Sequence, residues 1–279
     1  MSDHNNPLYV IDLHHKKDFA RKPTELIHVQ GHQSLSLHAR RTITLLWHNA
    51  HEQGIKRNKD YTIELSDLTG SNHKGYELIE SAIEALMTTL LVVKNQDGDT
   101  TRVQFLGGNN MASPDRPSGT LTYSFDKRLI EILEDSRIWG EIYMPVLIAL
   151  SSKYAISLYE HISEMVNLKY KEHHTYELNE FREILGIPSG TYKAFGAFKQ
   201  SVLVPTISEI SALANFNLTA IPVKTGRKVT HIKLFWYMKS LEEVKAAWQE
   251  INQPKIGRKE RISGHVDHVI DPIPSEKRR

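Results

Sequence analysis

Two stretches of this chain repeat one order of elements, and that order leaves few folds open. Residues 61–70 read Y-T-I-E-L-S-D-L-T-G, and residues 176–186 read Y-E-L-N-E-F-R-E-I-L-G. Each starts extended, passes an N-cap candidate (Ser66, Asn179), and continues as a short apolar helix closed by glycine. A polar turn follows, S-N-H-K-G in one copy and I-P-S-G-T in the other. Then comes a longer helix, from Tyr76 to about Leu91 and from about Thr191 to Leu213. Beyond each helix the sequence alternates as a hairpin does, turning at Asp97-Gly98 and at Thr225-Gly226. An amphipathic helix precedes each copy, over residues 35–51 and 152–166. Helix, short strand, helix, turn, helix, hairpin is the order of a winged helix. The pattern predicts an α+β chain of two tandem winged-helix domains, each a helix-turn-helix plus a β-hairpin wing.

The remaining segments fit around this duplication. Residues 1–33 are polar and rich in His and Lys, with Pro7 and Pro23, and read as a flexible arm. The first winged helix is expected over 34–126, with 119–126 as a strand. Residues 127–150, with Pro145, read as a helical linker, and 151–240 as the second winged helix. Residues 241–279 read as a helix end and a basic flexible tail, with Pro254, Pro272 and Pro274 and a final K-R-R. A chain of 279 residues is long enough for two such domains.

Within the second copy, F-G-A-F-K-Q-S-V-L-V-P-T-I-S-E-I at 195–210 holds a conflict. Phe195, Phe198 and Val202 share one helix face, and Leu203, Ile207, Ile210 and Ala214 share another. The two faces differ by roughly 100°. Pro205 stands between them, where a proline removes a donor and clashes with the preceding turn. Either one helix kinks here or two helices meet.

Three further stretches join this one: S-K-Y-A-I-S-L-Y-E at 152–160, G-R-K-V-T-H-I-K-L-F at 226–235 and G-T-L-T-Y-S-F-D at 119–126. Together with F-K-Q-S-V-L-V-P-T-I-S-E-I at 198–210, they resemble the replication initiators of iteron-containing theta plasmids. The resemblance spans roughly residues 35–237. It implies two winged-helix domains, binding to directly repeated origin sequences (iterons), origin melting, and recruitment of the host replicative helicase and host initiator. It also implies a homodimer in equilibrium with monomer, and repression of the protein's own promoter. The chain departs from the family pattern at Gln200 and Ser201, where members often carry more basic groups, and this leaves its base preference open.

In helix-turn-helix motifs the helix after the turn enters the major groove. In the second copy the side opposite the apolar face carries Lys193, Gly196, Ala197 and Gln200, with Lys199 on the flank. Small residues let a backbone come close, lysine suits phosphate, and glutamine pairs with adenine's major-groove edge. The turn before it supplies Ser189 and Tyr192. The second hairpin adds Lys224, Arg227, Lys228 and Lys233, and Lys153 opens the preceding helix. On this reading the proline lets one half of the helix face the groove while the other turns back to the core.

The first copy differs. Its core face is expected to be Ile79, Ile83, Leu86 and Leu90, and its outer side carries Glu77, Glu80, Ser81, Glu84 and Thr88. Phosphates repel such a row. Contact is therefore expected at the helix start, through Asn72, His73 and Lys74, where backbone amides favour an anion. The first domain is weighted towards self-association and a secondary DNA contact, the second towards DNA affinity. Arg40 and Arg41 are as readily interface or surface residues as DNA ligands.

Composition adds exclusions. A 40% apolar and 24% charged chain is of globular type, and no apolar run is long enough to span a bilayer. The N-terminus lacks the basic-then-apolar order of a secretory signal, and no membrane partner is expected. With no cysteine there is neither a disulfide nor a thiolate zinc site, as suits a cytoplasmic protein. A net charge of +2 does not announce nucleic-acid binding, so the placement of cations must carry that reading. Enzymatic readings fail residue by residue. His14-His15, His28/His32 and His265/His268 lack the spacing of a nicking-enzyme metal pair, and His48/His51 lack a carboxylate partner. Asp97-Gly98-Asp99 reads as a turn, and Gly107-Gly108-Asn109-Asn110 has no following Lys-Ser/Thr for a phosphate loop. No catalytic residue, metal or cofactor is expected. The alternative is a two-domain winged-helix transcriptional repressor without a replication role. A third reading, a polymerase or nicking enzyme, would require metal-dependent turnover.

Overall fold

The computed structural model describes residues 18–69, 75–94, 98–115, 119–134, 136–167, 172–262 and 273–274. The chain forms two compact units, one of Phe19–Ile142 and one holding Tyr143–Arg279.

The first unit opens with strand β1 (Phe19–Pro23), a helical turn α1 (Thr24–Ile27), and the long helix α2 (Leu37–Glu52), capped by Ser36 Oγ, which accepts from Ala39 N. Strand β2 (Tyr61–Glu64) leads into α3 (Leu65–Thr69), and α4 (Gly75–Thr88) follows. The hairpin of β3 (Leu91–Lys94) and β4 (Thr100–Val103) pairs in antiparallel register, Leu91 opposite Val103 and Lys94 opposite Thr100. Strands β5 (Leu106–Met111) and β6 (Thr120–Phe125) join β2 in a sheet ordered β2-β6-β5. Helix α5 (Lys127–Glu134) and strand β7 (Trp139–Tyr143) close the unit, β7 pairing with β1. Strand alternation puts Tyr61, Ile63, Leu121, Tyr123 and Phe125 inward, where they meet Leu46, Trp47, Ile83 and Leu86 in one apolar core. Two polar tips are satisfied there: Trp47 Nε1 donates to Arg21 O (2.8 Å), and the Tyr123 hydroxyl donates to Leu46 O.

The second unit begins at α6 (Met144–Ala149). It continues through α7 (Lys153–Asn167), β8 (His173–Glu177) and α8 (Leu178–Ile184) to a helix that runs without a break over 195–213. That helix has three parts: α9 (Phe195–Phe198), a π-helical turn (Lys199–Leu203) and α10 (Val204–Leu213). Strands β9 (Phe216–Thr225) and β10 (Lys228–Met238) form the wing, with β10 between β9 and β8. The wing turns at Gly226-Arg227, and Gly226 at φ +61° fills the first position of a II′ turn as glycine does. Helix α11 (Leu241–Asn252) and α12 (Arg258–Ile262) follow, and β11 (Ile273–Pro274) pairs in parallel with β9. The core is built from Ile156, Leu158, Tyr159, Phe181, Phe198, Leu203, Ile207, Ile210, Phe216, Ile232 and Leu234, all at most 2% exposed.

The π turn resolves the conflict around Pro205. Val204 N–H reaches back five residues to Lys199 O, and Pro205, next in line, has no N–H to place. A π turn holds one residue more than an α turn. That extra residue removes the one-position offset between Phe195/Phe198/Val202 and Leu203/Ile207/Ile210. Phe198, Val202, Leu203, Ile207 and Ile210 are therefore all buried, at 0–1% exposed. The expectation that the two halves face different ways gives way to one helix with one buried side.

Other expectations are corrected by burial. Part of the segment read as an arm is folded: Ala20, Leu26 and Val29 are buried and β1 pairs with β7. Much of the supposed linker belongs to the first core, because Leu129, Ile130 and Leu133 of α5 bury in it. The supposed tail also begins with fixed structure. Arg258, 4% exposed, donates through Nη1 to Ala149 O (2.8 Å) and through Nε to Glu250 Oε1 (3.1 Å), and Lys255 Nζ donates to Ile148 O (2.9 Å). Asn179 is not a cap: Glu177 caps α8 and forms a capping box with Glu180. Ser66 sits inside α3, and Leu90 lies past the end of α4 at 56% exposed. Gly107-Gly108-Asn109-Asn110 is part of strand β5, which sequence alternation did not reveal.

Candidate nucleic-acid interface

The turn between α8 and α9 is held by one side chain. Arg182 of α8 donates from Nη2 to Tyr192 O (2.9 Å), and its guanidinium lies 5.3 Å from the centre of the Phe198 ring. This bond fixes Tyr192 in the left-handed region, at φ +49°, a conformation that costs a non-glycine residue about 1 kcal/mol. The chain thereby turns sharply into the N-terminus of α9. Behind it Phe181 packs edge-on to Phe198 at 6.4 Å. At the far end the helix is tied down three times. Glu209 accepts from Ser151 N (2.8 Å), Ser211 Oγ accepts from Leu218 N (2.9 Å), and Lys239 Nζ donates to Ala214 O (2.8 Å). Burial lowers the Lys239 pKa to about 8, against a smaller upward pull from Glu243.

With its back so anchored, the helix presents Lys193, Ala194, Gly196, Ala197, Gln200, Ser201 and Val204 outward. Gly196 meets nothing within 4 Å at the position of an added Cβ, so no neighbour in the chain requires a glycine there. Ser189 is exposed in the turn, Tyr192 is half-buried, and Lys199 is half-buried at the start of the π turn. Turn and helix thus bring Ser189, Tyr192, Lys193, Gly196, Lys199 and Gln200 into one continuous stretch.

The wing residues divide. Arg227 occupies the turn, Lys228 opens β10 opposite Thr225, and Lys224 lies opposite Val229. These three cluster at the tip. Lys233 does not join them: it sits further down β10, opposite Ile221 and Thr175, with its ammonium 4.7 Å from the centre of the Phe235 ring. Lys153 starts α7, with its ammonium 5.6 Å from the Tyr154 ring centre. Asn72, His73 and Lys74 lie outside the described residues.

In the first unit α4 buries Ile79, Ala82, Ile83 and Leu86 and exposes Glu77, Glu80, Ser81, Glu84 and Thr88. Its outward side carries three carboxylates and no cation. Arg40 is buried, 5% exposed, and donates to His32 O (3.1 Å), so it is a packing residue. His51 rests against the Trp139 ring at 6.1 Å, and desolvation followed by Arg21 lowers its pKa. Among the described residues no group of His, Asp and Glu is placed to hold a metal ion, and no helix is long and apolar enough to cross a membrane.

Arg182 is the residue that sequence reading missed. It sits on the short helix as an ordinary surface arginine would, and only the fold brings it to a carbonyl ten positions on. A left-handed tyrosine leaves no mark in composition either.

The family model described as "Initiator Replication protein, WH1" matches residues 20–163, and the model described as "Initiator Rep protein, WH2" matches residues 177–236. Among solved structures the chain is similar to the X-ray crystal structure of the MSBI1.176 WH1 domain, a replication protein isolated from a multiple sclerosis patient. The identity is 22%, the match covers 37% of this chain and 85% of that one, and the TM-score is 0.28. No curated protein matches. Two winged helices in tandem, each matched by its own family model in the order WH1 then WH2, place this chain in the family of replication initiator proteins, whose winged-helix domains bind DNA.

Proposed function

We propose that this protein initiates replication of a plasmid by binding directly repeated sequences at its origin. The second winged helix supplies most of the affinity. The observation that carries this reading is the contrast between the two helices that follow the turns. The second presents Lys193, Gly196, Gln200 and Ser201 on an exposed face backed by a fully buried one. The first presents Glu77, Glu80 and Glu84. Phosphates attract the former and repel the latter. The wing tip adds Arg227, Lys228 and Lys224, and the first unit is weighted towards self-association between monomer and homodimer.

On this reading the protein works by binding and deforming DNA in the cytoplasm. Melting of the origin draws on the summed binding energy of copies arrayed on adjacent repeats. The host replicative helicase and host initiator are then recruited, and a dimer represses the protein's own promoter.

Footprinting on DNA flanking the gene, over a salt series, tests the proposal with wild type and the double variant Lys193→Ala/Gln200→Ala. Regular protection over direct repeats, weakened in the variant, is the expected result. Protection of a lone inverted repeat would instead assign the protein to transcriptional repression. No sequence-selective protection at any salt would overturn the DNA-recognition reading of the second unit.

A further inference from the structure

We infer that the second unit's exposed helix reads A·T base pairs, through adenine edges and thymine methyl groups, and reads no guanine. The inference rests on the proposed DNA-binding role of that unit and specifies the sequence class it takes.

Each base pair offers the major groove its own pattern, and each pattern calls for a particular side-chain chemistry. Guanine, with two acceptors, is read by a paired donor, arginine or lysine. Cytosine offers a donor and is read by a carboxylate. Adenine offers one donor and one acceptor and is read by an amide, and the thymine methyl is read by apolar contact. From Lys193 to Val204 the outward positions are Lys193, Ala194, Gly196, Ala197, Gln200, Ser201 and Val204. There is no arginine and no carboxylate among them. Arg182, the nearby guanidinium, is committed to Tyr192 O and the Phe198 ring. Glu209, further along, is buried and accepts from Ser151 N. Neither lysine takes the guanine-reading part: Lys193 precedes the N-cap residue Ala194, at the end of the helix where phosphate contacts gather, and Lys199 is half-buried with a partner inside the chain.

What remains is one amide (Gln200), one hydroxyl (Ser201), which singles out no base, and the apolar groups of Ala194, Ala197 and Val204 beside Gly196. Gln200 has the donor and acceptor that adenine N7 and N6 require. Val204 is 36% exposed although valine is apolar, and it lies one turn beyond Gln200. Ala197 lies one turn before it. From Ala197 to Val204 the helix advances about 10 Å, the rise of about three base pairs at roughly 3.4 Å each. The π turn serves this arrangement: its extra residue keeps Val202 and Leu203 both buried while Gln200, Ser201 and Val204 all stay outside.

The test uses the full chain and duplexes bearing the repeat it protects. Bases are substituted one at a time within the part whose protection depends on Lys193 and Gln200. Uracil for thymine removes only the C5 methyl, and 7-deazaguanine for guanine removes only the N7 acceptor. Uracil is expected to weaken binding about fourfold at each thymine the helix covers, the worth of one buried methyl group. 7-Deazaguanine is expected to leave it unchanged. In Val204→Ala, whose exposed site leaves folding unaffected, the thymine–uracil difference should vanish at one position and persist at another. Loss of binding with 7-deazaguanine, indifference to uracil throughout, or a Val204→Ala protein that discriminates as wild type does would each overturn the inference. Selective binding that survives with guanine-dependent readout would leave the initiator role standing and reject only this specificity. Absence of selective binding to any repeat would reject both.

Discussion

Pro205 and the π turn before it make a prediction that can be worked from positions alone. Deleting Ser201, an exposed residue inside the turn, leaves Phe195, Phe198, Leu203, Ile207 and Ile210 at spacings of three, four, four and three. That is a continuous α-helical face, so the buried residues need no π turn to stay buried. The proline then sits in a regular helix, its ring against the carbonyl four residues back, at a cost of about 3 kcal/mol. Pro205→Ala alone leaves the offset and the π turn in place, and costs less than about 1 kcal/mol through the looser unfolded chain. The two changes together should cost little more than Pro205→Ala. The interaction energy in the cycle is then about −3 kcal/mol, far above the usual error of additivity. Urea unfolding read by hydrogen exchange in peptides from 172–240 isolates the second unit. Additive effects, or a Pro205→Ala variant as unstable as the deletion, would refute the claim that proline and π turn accommodate each other.

Other consequences follow from single side chains. Gly196→Ala should raise helix stability by up to about 1 kcal/mol, because its Cβ meets nothing in the chain, while weakening DNA binding at fixed salt. A loss of stability, or unchanged affinity, would show that close approach is not what the glycine serves. Arg227→Ala with Lys228→Ala should flatten the dependence of log affinity on log salt by about two and leave the preferred sequence unchanged. Arg258→Ala leaves Glu250 paired with Arg261 but removes the donor to the Ala149, Glu250, Ile251 and Gln253 carbonyls, and should cost the second unit about 2 kcal/mol by denaturant unfolding. Lys239 has a folded pKa of about 8 against 10.5 unfolded, so above pH 8 the unfolded chain binds the extra proton and stability rises with pH. The rise should reach about 2 kcal/mol by pH 10, above which four buried tyrosines with raised pKa values oppose it, and it should be absent in Lys239→Met.

The sequence carried the duplication and its element order because both rest on local signals. Alternation marked β3, β4, β9 and β10, three-and-four spacing marked α2, α4 and α7, and glycine marked the wing turn at Gly226. It did not carry β5, whose Gly-Gly-Asn-Asn has no apolar alternation and pairs with β6 only because the fold delivers an edge. Nor did it carry the true ends of the units. Ala20, Leu26, Leu129 and Leu133 sit in segments whose overall polarity suggests an arm or a linker, yet each buries against residues far along the chain. The site divides in the same way. Exposed lysines and the glutamine can be read from a helical wheel, since exposure on an amphipathic helix is local. The groups that aim them cannot, because Arg182 and Lys239 donate to the Tyr192 and Ala214 carbonyls, which only the tertiary fold places within reach. The offset around Pro205 lies between these cases. Its size, one residue, was readable as two helical faces set roughly 100° apart. Its resolution was not, because a kink, a break and a π turn all satisfy the same pattern. What decides among them is the requirement that Val202 and Leu203, adjacent in sequence, both lie in one core. A straight α-helix would carry the two residue sets a full position apart, and only the added residue of a π turn lets both be buried without a second helix.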